Sequence, residues 1–159
     1  MTNKEFITIY YGAIVKHYCI LILPFILFAA CSQQQTTESA QQKNIAVARQ
    51  LFEQFNKHDW NSMAALYADT ALFLDPSLGT TPVPQSRRQI SEKYTQLHSV
   101  FPDIRDDVQN IYPSGTDRVI VEFISTGTLP DGTTMTLPIC TVFTIEDGSI
   151  VQDFTYYDN

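Results

Sequence analysis

Asp75 is the carboxylate best placed for chemistry in this chain of 159 residues. It closes the stretch YADTALFLDPSLG, Tyr67 to Gly79, whose middle alternates in hydropathy. On a strand, Ala71, Phe73 and Asp75 fall on one face, and Leu72 and Leu74 fall on the other. A carboxylate in phase with Phe73 stands on an apolar wall, where charge must be paired, hydrogen-bonded or used. Two roles are open to it. In a pocket it is a general base that moves a proton on carbon; at a turn it caps the loop at Pro76-Ser77. Other chemistries lack their parts. The sequence has 3 His, none of them paired at metal-ligand spacing, so no metal site is expected. His58 lies in a turn and is expected to face solvent; His98 stands alone on a helix. Ser and Cys lack the context of a nucleophile elbow, and there is no Gly-rich phosphate loop and no sign of a cofactor. Arg87-Arg88 and the run Asp103, Asp106, Asp107 read as solvated charges.

The elements that must hold Asp75 are legible from periodicity. Ile45, Val47, Ala48, Leu51, Phe52 and Phe55 recur at helical spacing over Asn44 to Asn56. After a turn at Lys57-His58-Asp59, a short helix is predicted from Trp60 to Tyr67, with Met63, Ala64 and Leu66 inward. The first strand is Thr70 to Asp75. A Pro- and Thr-rich loop (Pro76 to Gln85) then leads to a third helix, Ser86 to Val100, with Ile90, Tyr94 and Leu97 on one face. Phe101-Pro102-Asp103 ends that helix. Four strands follow: Ile104 to Tyr112, Arg118 to Leu129, Thr133 to Ile145, and Ile150 to Tyr157. Asp131-Gly132 and Asp147-Gly148 sit between them as hairpin turns. Trp60, Phe52 and Phe55 read as core. Three helices before an antiparallel meander predict an α+β fold with helices packed on one curved sheet.

Composition bounds the function class. Hydrophobic residues make up 44% and aromatics 12%, enough for one domain with a real core. The formal charge is −7, and residues 1–30 contribute +1 of it through Lys4, Glu5 and Lys16. The remainder is therefore near −8, which repels phosphate backbones and excludes nucleic acid as a partner. Residues 1–30 have the form of a signal peptide: basic residues, the apolar run Tyr18 to Phe28, then Ala29-Ala30. The run is too short to span a bilayer comfortably and contains Pro24. Ala29-Ala30-Cys31 resembles a bacterial lipoprotein lipobox, which implies lipidation of Cys31 and a cell-envelope location on the periplasmic side or at the outer membrane. An ordinary cleavable signal with an incidental Cys is the alternative. Residues 31–43 carry no apolar side chain larger than Ala and read as a flexible tether, leaving 44–159 as the folded domain. With Cys19 removed and Cys31 lipidated, Cys140 is left unpaired and reads as a buried structural thiol.

Four segments, ARQLFEQFNKHDW, YADTALFLDPSLG, FPDIRDDV and FTIEDGSIVQDFTYYDN, together resemble the SnoaL-like branch of the NTF2-like superfamily. That group includes polyketide cyclases and ketosteroid isomerases. The resemblance spans about residues 45–158. It implies a cone-shaped α+β barrel with a deep apolar pocket between sheet and helices, often in homodimers. Asp75 falls where the isomerases keep the carboxylate that moves a proton on carbon and where the cyclase has Asn. The other catalytic positions do not carry over. The isomerase oxyanion Tyr falls near Leu51 and its partner acid on Thr141. The cyclase acid/base Asp falls on Thr155 and its pocket His on Thr141.

If the last strand faces the pocket as the resemblance implies, Val151, Asp153, Thr155 and Tyr157 point inward. Phe154, Tyr156 and Asp158 then point outward. Asp75 and Asp153 would form a carboxylate pair in an apolar cavity, which drives one pKa upward. Asp153 is otherwise a rim or interface charge. Phe73, Tyr94, Thr141, Thr155 and Tyr157 would line the ligand pocket. The expected function is binding of a small, largely apolar molecule, with proton-transfer chemistry on a carbonyl compound and Asp75 as base. The alternative is a non-catalytic binding module, or an assembly module whose sheet face pairs in a homodimer.

Overall fold

The computed structural model describes residues 37–158. The expected signal peptide (1–30), Cys31 and the first part of the expected tether lie outside the described residues. Helix α1 covers residues 37–56 and starts before the expected boundary at 44. Residues 37–43 are thus helical rather than a flexible spacer. Glu, Ala, Gln and Lys are all good helix formers, and side chains hold this turn down. Gln41 Nε2 donates to the Gly115 carbonyl at 2.8 Å, and Asn44 Nδ2 donates to the Thr116 carbonyl at 3.0 Å. One face of α1 buries Ala48, Leu51, Phe52 and Phe55.

Helix α2 runs Trp60–Ala64, capped by the Asp59 side chain on the Ser62 N–H. It ends before Tyr67, which the sequence placed in it. Tyr67 instead opens strand β1, Tyr67–Leu74, where it pairs with Ile150 of the last strand and is buried. Asp75 caps a 3₁₀ turn over Pro76–Leu78, and Val83–Ser86 forms a short edge strand, β2, within the expected loop. Helix α3, Arg87–Val100, begins in a capping box between Ser86 and Gln89. Strands β3 (Arg105–Ser114), β4 (Arg118–Thr128), β5 (Thr134–Glu146) and β6 (Ser149–Tyr156) follow the expected meander closely.

The sheet order is β2-β1-β6-β5-β4-β3. All neighbours are antiparallel except β1 and β6, which run parallel and place Phe73 beside Asp153. Asp147 (φ 48°) and Gly148 (φ 79°) both adopt positive φ between β5 and β6, the geometry of a two-residue primed turn. Pairing on β6 jumps from Thr144↔Gln152 to Ile145↔Ile150, so Val151 is a bulge. The bulge corrects the expected inward face. Ile150, not Val151, enters the core, and Asp153 comes back into phase three residues later.

The core lies between the helices and the concave face of the sheet. Phe52 of α1 meets Phe123 of β4 edge-on at 4.8 Å and Phe143 of β5 at 6.3 Å. Beyond α3, Gly127 passes so near Phe101 that an added Cβ would lie 2.9–3.1 Å from its side chain. Two expectations change at the surface. His58 is half-buried: it stacks on Trp60 and bonds the Ile104 carbonyl through Nε2 at 2.8 Å. Cys140 is half-buried on the outer sheet face, and burial together with nearby Glu122 raises its thiol pKa. No helix among the described residues is long and apolar enough to cross a membrane.

Candidate functional site

A cavity of about 560 Å³ opens between α1, α3 and the concave sheet. Its walls are mainly apolar, with Phe52 and Phe55 from α1, Leu97 from α3 and Phe123, Ile139 and Phe143 from the sheet. Its size and character suit a small organic ligand.

Asp75 reaches the cavity wall because the alternation of β1 carries it to the concave side. It also caps the following turn, so a place on the cavity wall and a capping position coincide in one residue. Its Oδ1 accepts from the Ser77 N–H (2.8 Å), the Ser77 hydroxyl (2.7 Å) and the Tyr157 hydroxyl (3.0 Å). Its Oδ2 is paired with the Lys93 ammonium. Burial alone would raise the carboxyl pKa. The Lys93 charge and the bonds from Lys93 and Ser77 outweigh it, so Asp75 sits below the usual carboxylate range. Lys93 also lies over the rings of Phe73 (5.7 Å) and Tyr94 (5.0 Å).

Asp153 is buried and saturated. Thr141 and Thr155 hydroxyls each donate to Oδ1 at 2.9 Å, and Tyr67 donates to Oδ2 at 2.8 Å. Burial raises its pKa, and the three hydroxyls and the Lys93 charge offset only part of that. The two carboxylates thus part in acidity, as expected of two acids in one cavity, but burial and Lys93 separate them. No hydrogen bond joins them among the described residues.

Asp75, Tyr94, Thr141, Asp153, Thr155 and Tyr157 all line the cavity. Phe73 does not. It is packed into the core, with its ring centroid 5.3 Å from that of Tyr67. The Tyr94 hydroxyl has no hydrogen-bond partner among the described residues, and burial first, then the surrounding carboxylates, holds its pKa well above the ordinary value. It remains a protonated donor facing the cavity.

Among the lining residues that escaped the sequence reading are Tyr67, Lys93, Asp106 and Ser125. Tyr67 lies beyond the alternation of Ala71 and Phe73, cut off from it by exposed Asp69 and a shift in the pairing with β6, so a period of two does not reach it. Lys93 stands three residues after the buried Ile90, on the stripe that also carries Tyr94 and Leu97. Asp106 corrects the reading of residues 103–107 as solvated. It follows Ile104 by two, the signal already used for Asp75, and is only 6% exposed. Burial raises its carboxyl to about 7, opposed in part by the Ser125 hydroxyl. Asp103, by contrast, is exposed, where it accepts from the Thr128 N–H and hydroxyl, each at 2.7 Å. Among the described residues no group of three or more His, Cys, Asp and Glu side chains could hold a metal ion.

The sequence pattern of the SnoaL-like domain family matches residues 48–153. No curated protein matches the chain significantly. Among solved structures, wild-type IdmH from Streptomyces antibioticus, a candidate polyketide cyclase, is 25% identical with a TM-score of 0.63. The match covers 72% of this chain and 91% of that one. A protein of ketosteroid isomerase-like fold from Catenulispora acidiphila, solved with trimethylamine, is 18% identical with a TM-score of 0.63, over 70% of this chain and 85% of that one. A candidate polyketide cyclase from Xanthomonas campestris is 21% identical with a TM-score of 0.63, over 75% and 93%.

Proposed function

From the premise that this chain belongs to the SnoaL-like domain family, we propose that it binds a small, largely apolar carbonyl compound and moves a proton on it. The observation that carries this reading is the cavity of about 560 Å³ with the Asp75–Lys93 pair on its wall. Asp75, held ionised by Lys93, takes a proton from the carbon next to the carbonyl. The Tyr94 hydroxyl donates to the carbonyl oxygen and stabilises the enolate as charge develops there. Asp75 then returns the proton at a different carbon, or the enolate carbon attacks a second carbonyl to close a ring and the alkoxide so formed takes the proton back from Asp75. Asp153 serves as a structural acid that fixes Tyr67, Thr141 and Thr155.

A second reading, ligand binding without turnover, is favoured by one observation. Asp75 accepts from Ser77 twice, from Tyr157 and from Lys93, which lowers its basicity. A screen of apolar ketones and diketones separates the two readings. Binding can be followed by fluorescence of Trp60, the single Trp, which packs on Phe55 and Tyr94 at the cavity. Turnover by the wild type that is lost in Asp75→Asn, with binding kept, supports the base. Turnover unchanged in Asp75→Asn rules Asp75 out, and binding of none of the compounds defeats the reading altogether.

The proposed setting is the cell envelope, with a lipid on Cys31 as the anchor and a second copy of the chain on the outer sheet face. Support for the second copy lies in the strand register. Leu74, Phe154, Val142, Ile120 and Tyr112 are register partners in one row across five strands. All of them are partly or fully exposed. Sedimentation at micromolar concentration tests this, and Val142→Lys should leave a monomer if the row is the interface.

A further inference from the structure

Asp106 has no part in the proton transfer just described, yet it is built into the same cavity. Asn56 of α1 clamps its backbone from both sides. Asn56 Nδ2 donates to the Asp106 carbonyl and the Asp106 N–H donates to Asn56 Oδ1, both at 2.8 Å. With the backbone fixed, the side chain points into the cavity at 6% exposure, and its Oδ1 has no hydrogen-bond partner among the described residues. A buried carboxylate oxygen left unpaired is costly. Ser125, its register partner on β4, sets a hydroxyl beside the carboxyl that offsets a part of the effect of burial.

The charges around it decide what could satisfy that oxygen. From α3 it faces the Tyr94 hydroxyl, and Asp75 and Asp153 share the cavity. Among the described residues Lys93 is the only cation on the wall, and it is committed to Asp75. His58 lies behind, on the carbonyl of Ile104. A ligand carbonyl or carboxylate is repelled here, whereas a cation meets an uncompensated acid among the rings of Phe52, Phe55, Tyr94 and Phe123. Resting on the reading of this cavity as a ligand site, we propose that Asp106 and Ser125 bind the ammonium group of an apolar amine.

This subsite is a second polar pole. Ser125 pairs with Leu137 on β5, while the Asp153 cluster meets β5 at Thr141. The two poles are therefore four residues apart along that strand, roughly 13 Å. The register pair Phe123↔Ile139 forms an apolar band between them. A molecule that fills both poles carries a basic nitrogen at one end and a carbonyl near the other.

The test uses the full chain in a non-ionic detergent and a matched pair of rigid probes, 1-adamantanamine and 1-adamantanol, titrated against Trp60 fluorescence. At pH 8 the amine should bind at least about tenfold more tightly than the alcohol. D106N should lose that advantage while keeping alcohol affinity within about twofold. An alkylammonium keeps its proton between pH 6 and 8, as lysine does. Wild-type affinity for the amine should therefore fall about tenfold from pH 8 to pH 6 as Asp106, near 7, is protonated. That fall should be absent in D106N, which assigns it to Asp106. If D106N does not fold, the wild-type amine-to-alcohol ratio and its pH dependence decide. Equal affinity for both probes, or a pH-independent ratio, overturns the amine site but leaves the cavity a ligand site. Binding of neither probe overturns both.

Discussion

Replacing Asp106 with Asn should make the folded protein more stable at pH 8 relative to pH 5, compared with the wild type. Asp106 ionises near 3.8 when unfolded and near 7 when folded. A carboxyl whose folded pKa is raised holds its proton in the native state. Its favourable contribution is complete below pH 3.8 and is lost as the pH rises through 7. With these two values, the native state loses about 2–3 kcal/mol between pH 5 and pH 8, where the unfolded carboxyl is already ionised throughout. The amide introduced by D106N has the shape of the protonated acid and no ionisation to undergo. The gap between variant and wild type should therefore move in favour of the variant by about 2–3 kcal/mol over this interval. Asp153 is raised by burial too, but it is present in both proteins and cancels. Asp75 is lowered, and its contribution is lost only as the pH falls toward its own pKa, below this interval. Urea unfolding followed by Trp60 fluorescence, at half-unit steps from pH 5 to 8, measures the gap. A gap that stays constant across the interval would refute the reasoning, because it would mean that Asp106 ionises in the native state as it does in water.

Other outcomes are expected elsewhere in the fold. Asp75→Asn strips the carboxylate from Lys93, whose side chain is 22% exposed. Partial access to water limits the loss to about 1–2 kcal/mol, read as a lower urea midpoint. Tyr67→Phe removes the 2.8 Å donor to Asp153 Oδ2 in a buried setting and should cost about 1–3 kcal/mol. A midpoint within error of the wild type would show that another group fills the gap. Gly127→Ala pushes a Cβ into the Phe101 side chain and should cost about 1–3 kcal/mol, with Gly127→Ala/Phe101→Leu recovering a part of it. Cys31→Ser should move the protein from the membrane fraction to the soluble fraction; retention in membranes would exclude a lipid on Cys31 as the anchor.

Patterns of short range were readable in the linear chain. Helical spacing in α1 and α3, alternation in β1 and β3–β6, and Asp-Gly turns are decided by neighbours in sequence, so the α+β order could be read directly. The same alternation placed Asp75 on an inner face, and it would have placed Asp106 there had it been applied to it. What only the tertiary structure decided depends on residues distant in sequence. The parallel β1–β6 pairing brings Phe73 beside Asp153 across 80 positions, and no local preference encodes that choice of partner. The bulge at Val151 shifts a strand by one residue, which a strict period of two cannot anticipate. The acidities follow the same division. Asp75, Asp106 and Asp153 are the same side chain, yet a lysine on α3 lowers the first, burial with little to offset it leaves the second near 7, and three hydroxyls from three strands enclose the third. Residue type sets the reference pKa; burial and the partners the fold brings within a few ångströms set the departure from it.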